Sequence, residues 1–112
     1  MRAIGLALAA ALFGAGAAVA ADRPDVEHGR QVFQYWCATC HGAGVGHPGT
    51  DALQAKYHGD KPALIEARRD LTPEQVRFFV RHGISIMPFF RKTEISDADL
   101  DDIAAYVARS RR

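Results

Sequence analysis

Cys37-Ala38-Thr39-Cys40-His41 is the stretch that decides how this chain folds. Two thiols at i and i+3 share one face of a helical turn. They can reach the two vinyl groups on one edge of a porphyrin, and the imidazole that follows then points at the iron. C-x-x-C-H therefore reads as covalent haem c attachment, one haem per chain, with His41 as the proximal ligand. Three other readings compete. A disulfide between Cys37 and Cys40 would close too small a loop to stabilise much. A redox-active C-x-x-C needs a βαβ setting, and the chain offers no strand-like alternation. A zinc site needs four ligands; with no second cysteine pair, His47 or His58 would have to serve.

Working outward, the segments on either side are helical. Val26, Gly29, Phe33 and Trp36 recur at helical spacing, which predicts a first helix over residues 24–36. Gly42, Gly44, Gly46, Pro48 and Gly49 describe a loop. A short helix is expected at 51–57, and another opening at Lys61-Pro62 with Leu64, Ile65 and Arg68 on it. Thr72-Pro73-Glu74-Gln75 is a helix start: Thr at the N-cap, Pro at N1, Gln three residues on. That helix directs Val76, Phe79 and Val80 inward and Arg77 and Arg81 outward, and Gly83 stops it. Ser96-Asp97-Ala98-Asp99 starts the last helix, whose apolar stripe is Leu100, Ile103, Tyr106 and Val107. The expectation is an all-α fold of about five short helices and long loops wrapped around the haem.

Residues 1–21 have the pattern of a cleaved secretory leader: Arg2, an apolar run from Ile4 to Phe13, then Ala18-Val19-Ala20 before Asp22. The run is nearly long enough to span a bilayer, but it is mostly Ala and Gly and no basic flank follows. Cleavage leaves one domain, residues 22–112, exported to the periplasm and not membrane-spanning. The balance of 14 Lys+Arg against 13 Asp+Glu excludes a nucleic-acid binder, which would need a basic patch on so small a body. A domain of about 90 residues has a thin core. With both cysteines committed to thioethers, the porphyrin must supply the missing hydrophobic centre, beside Phe33, Leu64, Phe79 and Tyr106. The chain without haem is then expected to be poorly folded.

The sixth iron ligand is a methionine, a second histidine or nothing. Beyond the initiator the chain has one methionine, Met87, in Gly83-Ile84-Ser85-Ile86-Met87-Pro88-Phe89-Phe90. Pro88 holds Met87 in extended backbone, and the aromatics stiffen the segment. A gap-filling core role is the commoner fate of Met. Its uniqueness and setting favour ligation here. His28, His47, His58 and His82 lie near turns or on polar stretches and read as solvated.

Taken together, these residues resemble the class I cytochromes c over nearly the whole of 22–112. In that family the glycine and aromatic of the first helix cross the aromatic of the last, which implies Gly29, Phe33 and Tyr106 here. A loop proline offers its carbonyl to the proximal histidine, which implies Pro48. The runs Pro48-Gly49-Thr50-x-Ala52-Leu53 to Lys56-Tyr57 and Ser85 to Lys92 also look like the cytochrome subunits of flavocytochromes. Those subunits partner flavoprotein dehydrogenases that oxidise 4-alkylphenols. The resemblance implies a non-enzymatic carrier of single electrons, passing them from a flavoprotein dehydrogenase to a downstream acceptor. Two alternatives stay open: a freely diffusing carrier serving a terminal oxidase, or a pentacoordinate haem sensor or peroxidase if Met87 is not a ligand. Phe89 or Phe90 can lie exposed for a partner, and Arg91 and Lys92, with Arg68, Arg69, Arg77 and Arg81, can form a basic rim or meet haem propionates.

Overall fold

Helix α1, Val26–Trp36, begins where Asp25 caps it. The Asp25 carboxylate accepts the N–H groups of Glu27 and His28 at 2.9 and 3.0 Å, so the helix starts two residues later than its apolar spacing predicts. The computed structural model describes residues 23–111, and the leader expected at 1–21 lies outside the described residues. After α1 come the short α2, Ala38–His41, then α3, Pro48–Tyr57; α4, Pro73–His82; and α5, Asp97–Val107. The all-α expectation holds: the described residues form five α-helices and no strand beyond one isolated bridge between Ile84 and Met87.

Two expected elements differ. Helix α3 begins three residues early, because Pro48 takes the N1 position and supplies a φ already suited to a helix. The helix expected after Pro62 is only a 3₁₀ turn, Ile65–Ala67, between extended Leu64 and Arg68. Arg68 turns inward there and is only 5% exposed. Its guanidinium donates to both carboxylate oxygens of Asp70 at 2.5 and 2.6 Å and to the Tyr57 hydroxyl at 3.1 Å. It is thus a buried tie between the turn and α3, not part of a surface rim. The starts of α4 and α5 follow the sequence. Thr72 and Gln75 form a reciprocal capping box, and Ser96 accepts the Asp99 N–H at 3.0 Å.

The buried core joins α1, α4 and α5: Phe33, Val80, Ile95, Leu100, Ile103, Tyr106 and Val107. Phe33, Ile95, Ile103 and Val107 are fully buried, and each contributes roughly 1.5–3 kcal/mol. Helices α1 and α5 meet at Gly29, where a Cβ would stand 2.1 Å from the backbone oxygen of Asp102. One turn on, the Phe33 and Tyr106 rings pack at 5.5 Å, tilted by 57°. The Asp102 carboxylate fixes the crossing, accepting the Asp25 N–H at 2.7 Å and the His28 ring N–H at 2.8 Å. Tyr106 donates its hydroxyl to Glu66, which ties the 3₁₀ turn to α5.

Arg77 and Arg81 are not the free solvated face predicted, although the Arg77 side chain is still 37% exposed. They bind Asp101 at 2.6 Å and Asp97 at 2.9 Å and so fasten α4 to α5. The four-residue spacing of the two arginines matches that of the two aspartates, a complementarity that only the helix pairing reveals.

Gly29→Ala is predicted to cost about 3 kcal/mol, because the new methyl meets backbone that cannot rotate away. Denaturant unfolding of the haem-loaded protein measures it. An unchanged midpoint would mean that α1 and α5 do not meet at this residue.

Candidate functional site

Cys37 ends α1 and opens α2. Its N–H donates to the Phe33 carbonyl at 2.8 Å, while its own carbonyl accepts the N–H groups of Cys40 at 3.1 Å and His41 at 2.8 Å. The three residues of the motif therefore share one turn, and both thiols are free. Cys40 is exposed. Burial pushes the Cys37 thiol up to about 12.

Burial also lowers the pKa of His41, which keeps the imidazole neutral and able to bind a metal. The ring lies on Gly49, where a Cβ would come within 2.9 Å of it. Its Nδ1 is buried without a hydrogen-bond partner. The carbonyl of Pro48, the acceptor implied by the family resemblance, does not fill that role: Pro48 is the first residue of α3, and carbonyls of a helix point along its axis.

Two residues that the sequence reading passed over hold the motif from α3. His47, expected to be solvated, donates a ring N–H to the Thr39 carbonyl at 3.0 Å. Thr50 donates its hydroxyl to the Gly42 carbonyl at 2.8 Å. The signal for His47 was its position directly before Pro48, at the cap of a helix. Of the other histidines, His28 binds Asp102, and His82 donates to the Phe78 carbonyl at 2.8 Å and stacks on that ring. His58 is the exposed left-handed cap of α3. Among the described residues, no three His, Cys, Asp or Glu side chains converge as they would on a zinc ion.

Met87 ends a two-residue turn. The Ile84 N–H donates to the Met87 carbonyl at 3.1 Å, and the Met87 N–H to the Ile84 carbonyl at 2.9 Å. Ser85, the first residue of the turn, has φ 53°, a left-handed conformation. The segment rests on Gly83, where φ is 69° and a Cβ would stand 2.6 Å from the Met87 oxygen. Met87 is half-buried against the same core as Trp36, Cys37 and Ala38. Trp36, next to Cys37, meets Phe90 edge-on at 5.9 Å. The motif and the methionine segment are thereby brought to one rim of the core. Phe90 turns inward, while Phe89 is 61% exposed.

These residues fit a haem. The His41 ring is neutral, partly buried and makes no hydrogen bond to the protein through Nδ1. Two free thiols lie on its own turn. Helix α3 buries no residue and packs chiefly on α2, so the protein core reaches only α1, α4 and α5. Leu53, Leu64, Leu71, Val76 and Phe79 are all left half-buried, as apolar residues awaiting a cover would be.

Residues 24–107 match the family model of cytochrome c oxidase, cbb3-type, subunit III. Cytochrome c-552 of Bradyrhizobium diazoefficiens is 33% identical over 99% of this chain and 95% of its own length. Cytochrome c6 of Cyanidioschyzon merolae is 32% identical over 74% of this chain and 72% of its own. Cytochrome c6 of Synechocystis sp. is likewise 32% identical, over 74% of this chain and 63% of its own. The chain belongs to the cytochrome c family, and its helical fold is that of class I. It is an electron carrier with covalently bound haem c, not an enzyme. No helix among the described residues is long and apolar enough to cross a membrane.

Gly83→Ala is predicted to destabilise more than Gly59→Ala. Both glycines have positive φ, but a Cβ at Gly59 meets nothing within 4 Å. A left-handed residue costs about 1–2 kcal/mol, and at Gly83 the ψ of 172° lies outside even that well. The excess at Gly83, read from denaturant midpoints, reports this backbone together with its contact with the Met87 carbonyl. Equal losses would show that the segment does not rest there.

Proposed function

We propose that Cys37 and Cys40 are the thioether anchors, His41 the proximal ligand and the Met87 sulfur the distal ligand of a six-coordinate haem. The observation that carries this reading is the neutral, partly buried His41 ring on one turn with two free thiols, a turn whose Cys37 and Ala38 pack against the same core as Met87. When bound, the haem supplies a one-electron couple. The protein's own part is to hold both ligands nearly still, Gly49 and the α2 turn behind His41 and Gly83 behind Met87. His41 and Met87 would together hold the iron and leave no position for oxygen, peroxide or substrate. A neutral thioether ligand and burial favour the ferrous state and raise the potential.

The electron donor in this reading is a periplasmic flavoprotein dehydrogenase that oxidises 4-alkylphenols, and residues 1–21 are the leader that exports the chain. Support comes from the two flavocytochrome-like runs and from exposed Phe89 two residues beyond Met87, an apolar contact for a protein partner. A second reading is a free carrier delivering electrons to a terminal oxidase. The match to an oxidase-subunit family model favours it.

Met87→Ala is expected to lower the reduction potential, abolish the far-red absorption band of ferric Met–haem and let the ferrous protein bind carbon monoxide. A variant that keeps the wild-type spectrum would return the protein to the pentacoordinate or bis-histidine readings. Rapid mixing distinguishes the donors. A substrate-reduced 4-alkylphenol dehydrogenase should reduce the haem in one-electron steps. Failure there, together with fast oxidation by a terminal oxidase, would favour the free carrier.

A further inference from the structure

The segment that carries Met87 leaves α4 at Gly83 and returns to it at Phe90. Its tip has little to hold it. Ile84, Ile86 and Phe89 are 51, 69 and 61% exposed, so burial restrains them weakly. The turn itself includes Ser85 in a left-handed conformation that residues with a Cβ adopt at a cost. The restraint is at the base. There the Phe90 N–H donates to the Val80 carbonyl at 2.8 Å, and the Phe90 carbonyl accepts from Arg81 Nη1 at 3.1 Å.

The other arm of the same guanidinium, Nη2, donates to Asp97 Oδ1 at 2.9 Å. One planar group therefore spans the end of α4, the returning end of the Met87 segment and the start of α5. The Arg81 side chain is 19% exposed and its bond to the Phe90 carbonyl is partly buried, while the Asp97 end of the brace is 62% exposed. Asp97 has a second cation, Lys92, at 2.7 Å, but Lys92 is 73% exposed and its Nζ is bonded to the other carboxylate oxygen. A fixed fork with two bonds at set angles orients what it holds; a flexible point charge does not.

We infer that Arg81 is a positioning residue: by bracing the Phe90 carbonyl against Asp97 it keeps the Met87 segment closed, and so sets how readily Met87 yields its place to an outside ligand. The inference rests on the reading of Met87 as the distal ligand.

The experiment uses the haem-loaded ferric protein, with imidazole as the competing ligand and the far-red band as the readout. Arg81→Gln leaves one short amide group and no charge, and cannot span the Phe90 carbonyl and Asp97 together. It should raise apparent imidazole affinity about tenfold, the loss expected when one charge-assisted bond goes. Arg81→Lys should fall between the two. Lys92→Gln removes the same charge from Asp97 without touching the segment and should leave imidazole affinity unchanged. Denaturant midpoints are taken alongside. A lower midpoint in Arg81→Gln with unchanged imidazole affinity would make Arg81 merely structural and overturn the inference. An equal rise in Lys92→Gln would assign the effect to charge and overturn it too. Adding Arg81→Gln to Met87→Ala, where the Soret shift on imidazole binding replaces the far-red band as the readout, should raise affinity no further, because the clamp acts through Met87; an additive rise would refute it. If Arg81→Gln takes up no haem, Arg81→Lys decides by the same criteria. Absence of the far-red band in the parent protein would refute the ligand reading, and the clamp with it. A normal band with indifferent Arg81 variants would overturn the clamp alone.

Discussion

The close approach of two backbones at Gly29 governs the rest of the molecule. With no side chain at that point, α1 lies directly on the Asp102 carbonyl of α5. The crossing packs Phe33 against Tyr106 and delivers the Asp102 carboxylate to Asp25 and His28 at the head of α1. It also decides where the far end of α1 stands, and that end carries Trp36 and Cys37. Helix α5 holds α4 through Arg77–Asp101 and Arg81–Asp97, and α4 carries the methionine segment. The C-x-x-C-H motif and the methionine segment are therefore both referenced to one helix.

Much of this was legible because it is local. The Thr72 capping box, the Ser96 cap and the stop at Gly83 are set by neighbours in sequence, and the structure has each where its chemistry puts it; the C-x-x-C-H motif is as local, and its three residues share one turn. Met87 is singled out for a different reason, as the one methionine beyond the initiator. What the sequence did not disclose depends on which surfaces meet. Arg77 and Arg81 look solvated on an isolated helix and become internal ties only when α5 presents its acids. Arg68 is similar: a charged residue in a short polar stretch is buried because Asp70 and Tyr57 satisfy its guanidinium. The missing helix near residue 65 has the same cause, since that inward turn of Arg68 takes extended backbone.

The two halves of the molecule differ in what holds them. The half built from α1, α4 and α5 has its own buried core. Helix α3 has none, and it is joined to α2 by the His47 and Thr50 hydrogen bonds and to the loop by Arg68 and Tyr57. Polar ties of this kind fix geometry but contribute about 1 kcal/mol each at best. In the proposed reading the prosthetic group would be the hydrophobic filling of that second half, in keeping with a chain too short to supply two cores of its own.

The internal ion pairs have a consequence outside the protein. Arg30, Arg68, Arg77, Arg81 and Lys92 each stand beside a carboxylate of the same chain. Positive charge that could have formed a basic rim is cancelled at short range, on a chain already close to neutral. Such dipolar pairs cast little field beyond the roughly 10 Å over which 0.1 M salt screens a charge. A partner approaching this cytochrome is therefore steered weakly from afar. Its rate of encounter is correspondingly insensitive to ionic strength, and recognition is left to the contact itself, where Phe89 stands clear of the surface.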